Sequence, residues 1–172
     1  MLTLEVLGLV LDPFAGSGST LDAAAWTLVL TEPAKVGPEQ PQPTPDRGVR
    51  PVDMGNPHLV AFVDDLADAG ALSRPPEVTP AFPDGVNVEF VVRRGERHVA
   101  MRVHERGSGE TRSCGTGACA VAVATALADD AERGTTYTVD LPGGTLEIVW
   151  TADDRILMTG PAELVAEGIT DL

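Results

Sequence analysis

Apolar and polar positions alternate along most of the second half of the chain. Val86, Val88, Phe90 and Val92 alternate with their neighbours, Arg93 to Glu96 turn, and Val99, Met101 and Val103 alternate again; this predicts a β-hairpin with one buried face. Tyr137, Val139 and Leu141, the turn Pro142-Gly143-Gly144, then Leu146, Ile148 and Trp150 predict a second hairpin. Leu59 to Val63 reads as an apolar strand, and Arg155 to Thr159 and Glu163 to Glu167 as further strands. Asp64 and Asp65 are positioned to cap a short helix ending near Gly70, and the Pro-rich Arg74 to Asp84 is loop. Between the hairpins the period changes. Ala118 to Ala128 is a run of small and apolar residues with strong helix propensity, and its first seven positions are apolar all round, so the helix is expected to be wrapped on several sides. The predicted fold is α+β: a curved, mostly antiparallel sheet around a central apolar helix.

Residues 1–32 read differently. Leu9 to Thr20 predicts a buried strand and a Gly-rich turn, followed by a helix from Leu21 to Trp26 and a strand from Thr27 to Thr31. A Gly-rich turn between strand and helix suits a nucleotide-like ligand. The run Asp-Pro-Phe-Ala-Gly-Ser-Gly-Ser-Thr at 12–20 resembles the S-adenosylmethionine-binding motif of DNA amino-methyltransferases, with Glu32 roughly where an acidic residue would take the ribose. The (Asp/Asn)-Pro-Pro-aromatic catalytic motif of those enzymes is absent from the sequence, and no lysine follows the glycines as a Walker-type phosphate loop requires. Residues 33–51, with Pro33, Pro38, Pro41, Pro43, Pro45 and Pro51, read as a linker. The expected division is therefore 1–32, an atypical N-terminal segment; 33–51, a Pro-rich linker; and 52–172, the main domain.

Composition narrows the function classes. With 26 acidic against 12 basic residues the net charge is −14, which repels nucleic-acid phosphates and anionic membranes, so neither is an expected partner. No apolar run approaches the ~20 residues of a membrane span. Cys114 and Cys119 are unsuited to a disulfide with each other, and the N-terminus lacks the early Lys or Arg of a signal peptide, which makes the cytoplasm the expected location. Lys35 is the only lysine, in a Pro-rich stretch, so a pyridoxal phosphate route at an amino-acid α-carbon has almost no candidate. His98 and His104 show no metal-ligand spacing, and no metal or other cofactor is expected.

The candidate chemistry gathers where strand gives way to helix. That junction places Cys114 at a helix N-terminus, where unpaired amides and the helix dipole favour a thiolate, so a lowered thiol pKa is expected. The amides of Gly115, Thr116 and Gly117 are suited to a carboxylate. Glu105 and His58 are candidates to take or hold the thiol proton, Arg106 to bind a second carboxylate, and Asn56 and Asn87 to hydrogen-bond ammonium or carboxylate groups. Each also has a plainer reading: Asn56 as a turn former, Asn87 as a surface residue pointing away from the core, Glu105 and Arg106 as surface charges, the small residues as close packing. Cys119, inside the helix, reads as core.

Residues 105–120, Glu-Arg-Gly-x-Gly-Glu-Thr-x-x-Cys-Gly-Thr-Gly-Ala-Cys-Ala, resemble the second active-site motif of diaminopimelate epimerase, a cofactor-independent amino-acid epimerase. Val-Asp-Met-Gly-Asn-Pro-His at 52–58 and Asp-Gly-Val-Asn-Val-Glu-Phe at 84–90 match in order and approximate spacing, and the likeness covers about residues 51–170. The resemblance implies that Cys114 is one of two catalytic cysteines, assisted by His58 and Glu105. It also implies that Asn56, Asn87, Glu105 and Arg106 contact a small amino-acid substrate and that Gly115 and Thr116 bind a carboxylate through their backbone. The implied reaction converts LL- to meso-diaminopimelate for lysine and cell-wall synthesis. In that family the first cysteine lies in a Cys-Gly-Asn-Gly motif of an N-terminal domain; this sequence has no such motif. The expectation is a partly exposed, reactive Cys114, no epimerisation by the chain alone, and a homodimer partner or complementing N-terminal half. The alternatives are a non-catalytic small-ligand-binding remnant, a methyltransferase fragment and a related cofactor-free racemase.

Overall fold

A computed structural model of the chain describes residues 48–78 and 82–162, together with the backbone of three earlier strands, β1 (Glu5–Leu7), β2 (Ala24–Leu30) and β3 (Lys35–Val36). The predicted strand and Gly-rich turn of 9–20 and the strand of 163–167 lie outside these residues. The remaining elements are β4 (Val49–Asp53), β5 (Pro57–Phe62), a 3-10 turn (Leu66–Ala69), β6 (Asn87–Gly95), β7 (His98–Glu105), β8 (Gly109–Thr111), α1 (Gly115–Ala128), β9 (Thr136–Leu141), β10 (Gly144–Trp150) and β11 (Ile156–Ala162).

The strands form one sheet in the order β1-β2-β11-β10-β9-β7-β6-β5-β4-β3, with β8 paired to β7. The β5–β6 and β7–β9 pairs are parallel and the others antiparallel. Strands β4, β5 and β6 from one side of this order and β9, β10 and β11 from the other all pack on α1, so the sheet curls around it. The helix is buried from Gly117 to Ala126. Its alanines and valines leave no side chain long enough to hold the strands away. The curved, mostly antiparallel sheet around a central helix is the fold the sequence predicts.

The hairpin of β6 and β7 departs from the expectation of one buried face. The register sets Glu89 opposite Val103 and Val91 opposite Met101, so Val99, Met101 and Val103 share the helix-facing side with Glu89 and Val91. Val88 and Phe90 face outward, where they join Leu59, Val86, Val49, Val78 and Phe82 in a second apolar cluster. The physical reason is that both faces of β6 are covered. The segment before β6 lies on the outer face, tied down by His104 Nδ1, which donates to the Leu72 carbonyl at 2.8 Å. A strand buried on both sides carries apolar residues of either parity, and alternation no longer tells inside from outside.

The N-terminal expectations also change. Ala24 to Trp26, predicted helix, belong to β2 and pair with Ala162 to Gly160 of β11. Pairing of all seven β2 residues with β11 outweighs the helix propensity of a short Ala run. Within the Pro-rich stretch, Lys35–Val36 is strand and Val49–Pro51 opens β4. Because β3 pairs with β4 only at Val52 and Asp53, the amide missing from Pro51 interrupts no ladder on that edge.

Candidate functional site

Strand-to-helix geometry puts Cys114 at the N-cap of α1, with extended backbone (φ −133°, ψ 105°). The first helical hydrogen bond, Ala118 N to Cys114 O at 2.9 Å, leaves the amides of Gly115, Thr116 and Gly117 ahead of the ladder. The Cys114 Sγ lies 3.7 Å from the Thr116 hydroxyl. The sulfur is buried, at 7% exposure for the residue, contrary to the partly exposed thiol the sequence suggests. The expected low pKa is corrected as well. Burial pushes the Cys114 thiol up, the backbone of Gly117 and the Thr116 hydroxyl pull it down, and the nearby charges of Glu105 and Glu89 push it further up. A helix dipole is worth about 0.3–2 kcal/mol to a charge at its end, and here burial and two nearby carboxylates act against it.

Strands β5 and β6 bring the next groups. His58 and Asn87 are register partners and point to the same, helix-facing side. His58 is 1% exposed; its Nδ1 lies 2.6 Å from Glu89 Oε1 and its Nε2 3.1 Å from Asn56 Oδ1. Glu89 has no exposed surface, and its Oε2 has no hydrogen-bond partner. Burial pushes the Glu89 carboxyl up from its ordinary value, against the His58 hydrogen bond, which pulls it down. A Cβ built on Gly117 would fall 2.8 Å from Glu89 Oε1 and 3.1 Å from Cys114 Sγ. The absence of a side chain at 117 is what lets the carboxylate and the thiol close on the same helix end.

Asn87 is buried on the site side, a correction to the surface reading. Its Nδ2 donates to the Pro57 carbonyl at 3.1 Å and its Oδ1 accepts from the Arg106 amide at 2.9 Å, so it ties the start of β5 to the corner after β7. That corner carries Glu105, whose Oε1 accepts from the Thr111 hydroxyl. The Arg106 side chain leaves the cluster: its Nη1 donates to the Asp84 carbonyl at 3.3 Å and its stem packs over Gly85. Asn56, Glu105, Gly115 and Thr116 are half-buried, forming a rim over the buried Cys114, His58 and Glu89. Cys119 lies one turn deeper in α1, fully buried, with its thiol pushed up to about 12 by burial. A cleft of about 500 Å³ at the other end of α1, lined by residues including Arg93, Arg97, Asp129 and Tyr137, contains none of these groups.

Glu89 is the group the sequence reading missed. The signal was a single carboxylate in the otherwise uncharged run Val86 to Val92, where a solvated strand face would place several polar residues.

The stretch that holds Asn56, His58, Asn87, Glu105 and the Cys-Gly-Thr-Gly turn is also the one that matches a known family. The sequence pattern of diaminopimelate epimerase matches residues 51–165. The chain belongs to the diaminopimelate epimerase family. The diaminopimelate epimerase of Streptomyces coelicolor is 69% identical over 129 residues, a match covering 71% of this chain and 45% of that protein. The enzyme of the same name from Geobacillus kaustophilus is 52% identical over 120 residues, covering 69% of this chain and 41% of that one. This chain thus matches less than half the length of these curated relatives. Among solved structures, a hydroxyproline epimerase from Agrobacterium vitis superposes with a TM-score of 0.54 at 17% identity, covering 80% of this chain and 50% of the other. A probable proline racemase from Agrobacterium radiobacter K84 superposes with a TM-score of 0.52 at 17% identity, covering 83% and 58%. The fold built here around α1 is therefore shared with half or more of each of these two chains.

Proposed function

We propose that this chain carries one half of a cofactor-independent diaminopimelate epimerase site, with Cys114 as the acid–base group on one face of the substrate. The observation that carries the reading is that the buried Cys114 sulfur and the His58-bound Glu89 carboxylate flank Gly117 at the N-terminus of α1, in a chain 69% identical over 129 residues to a diaminopimelate epimerase. In one direction of the reaction the Cys114 thiolate takes the α-hydrogen as a proton, forming an S–H bond. The C–H electron pair passes into the substrate α-carboxylate, whose growing charge is met by the amides of Gly115 and Thr116. His58 and Glu105 assist transfer of the thiol proton, and Asn56, Asn87, Glu105 and, once released from the Asp84 carbonyl, Arg106 bind the substrate's polar ends. A thiol pushed up by burial suits this role, because the thiolate is then a stronger base towards a weakly acidic α-carbon.

Inversion needs a second acid on the opposite face. Cys119 shares the helix with Cys114 and lies in the core, so that acid comes from outside these 172 residues, from a complementing N-terminal half or a partner copy. Every group named in the half-site lies within 52–172, the unit taken as the epimerase-like domain. The cytoplasm is the compartment this reading implies. Among the described residues no helix is long and apolar enough to cross a membrane.

The test is to incubate the chain with LL-diaminopimelate in deuterated water, alone and mixed with a polypeptide bearing the Cys-Gly-Asn-Gly half, with Cys114→Ala as control. Inversion with deuterium incorporation is expected only in the mixture and only with Cys114 present. Inversion by the chain alone, or by the Cys114→Ala mixture, overturns the reading.

A further inference from the structure

Glu89 has no role in the site as the family resemblance assigns it, yet it is the most enclosed charged group in the described residues around α1. It is fully buried, held to His58 Nδ1 at 2.6 Å, and its second oxygen has no partner. Stability does not require such a residue, because a buried carboxylate costs several kcal/mol that an apolar side chain of similar size avoids. The remaining titratable groups facing it are His58 from β5, Glu105 from β7 and Cys114 from α1. His58 is gripped at both nitrogens, with the buried carboxylate on Nδ1 and the half-buried Asn56 on Nε2.

We infer that Glu89 is the positioning residue of this half-site: its carboxylate accepts the Nδ1 proton of His58, so that the proton His58 passes on is the Nε2 proton directed at Asn56 Oδ1, and its charge, gathered with the Cys114 sulfur around Gly117, strengthens the thiolate as a base. This rests on the reading of Cys114 and His58 as the proton-handling groups. The carboxylate on one ring nitrogen fixes the tautomer of the other, and it balances the imidazolium when Nε2 takes up a proton. Gly117 completes the arrangement, since any side chain there would separate Glu89 from Cys114.

Two measurements on the full chain, neither needing substrate, test this. The first is the ring ¹⁵N spectrum of His58 in protein labelled at its three histidines, assigned with His58→Gln. A protonated Nδ1 at neutral pH is expected; a bare Nδ1 with the proton on Nε2 overturns the inference, and this holds on wild-type protein alone. The second is the pH profile of Cys114 alkylation by iodoacetamide, followed by mass spectrometry with Cys119 as the unreactive internal standard. In Glu89→Gln the amide oxygen still accepts from Nδ1, so a purely structural role is preserved, but the charge is gone. The alkylation midpoint, above that of an ordinary free cysteine in wild type, is expected to move to lower pH in Glu89→Gln. An unchanged midpoint in a folded Glu89→Gln protein overturns the inference. If these results hold while the deuterium exchange fails, the Glu89 assignment stands and the epimerase reading falls.

Discussion

Gly117 has no room for a side chain. The Glu89 oxygen that a Cβ would meet at 2.8 Å is the end of a side chain, but one fully buried and bonded to His58, so it cannot swing away. Alanine in a helix gains up to about 1 kcal/mol over glycine, and overpacking a core costs about 1–3 kcal/mol. Gly117→Ala is expected to be destabilised on balance, by about 1–2 kcal/mol, with a change in the Cys114 alkylation rate as the contact opens. Urea denaturation with matched alkylation checks this, and a variant as stable as wild type would show that the contact is slack. The position of Cys114 was legible because its signal is local: a polar loop changes to an Ala/Val run within a few residues. Its burial was not, because desolvation at 114 comes from strands distant in sequence.

At the scale of elements, Arg102 on β7 does the work of a clasp. It donates through Nε and Nη2 to Glu110 on β8, at 2.7 and 3.1 Å, through Nη1 to Leu66 O at 2.8 Å, and through Nη2 to Gly70 O at 3.0 Å. The 3-10 turn it holds is itself capped by Asp65, which accepts from the Ala67 amide at 2.9 Å. Arg102→Met is expected to lose about 1 kcal/mol at neutral pH, the partly exposed ion pair being discounted for solvent screening. Arg102 holds the Glu110 carboxyl below its ordinary range. The stability it contributes is therefore present above the unfolded carboxyl pKa of about 4.3 and lost as pH falls through the folded value. Urea melts at pH 7 and below pH 4 are expected to show the gap between wild type and variant narrowing in acid, down to the part carried by the two carbonyl bonds. The Asp64-Asp65 cap was readable from local sequence; the clasp, formed by residues more than thirty apart, was not.

At the scale of the molecule, β11 links the ends of the chain to the site. It pairs with β10 on one side and β2 on the other, and its Met158 packs against Gly115, with its Cε 3.3 Å from where a Cβ on that glycine would lie. Removing residues 1–32 would strip β11 of seven paired positions and leave an open edge beneath the N-terminus of α1. The truncated chain is expected to melt at lower temperature and to associate on size exclusion. An unchanged melting temperature and a monodisperse peak would show that β2 contributes nothing to the sheet.

The sequence by itself determined the elements of the second half, the central helix and the loop that carries Cys114, because alternation, small-residue runs and turn glycines are local properties of the chain. It could not determine which side of β6 faces the helix. That followed only from the register of β6 against β5 and β7, and from the loop that covers its outer face. The same long-range pairing turned Asn87 and Glu89 inward, joined His58 to Glu89, and brought the Glu89 carboxylate to Gly117 beside Cys114. Burial of those groups together, which no local pattern encodes, made the thiol a stronger base than a helix N-terminus alone would allow.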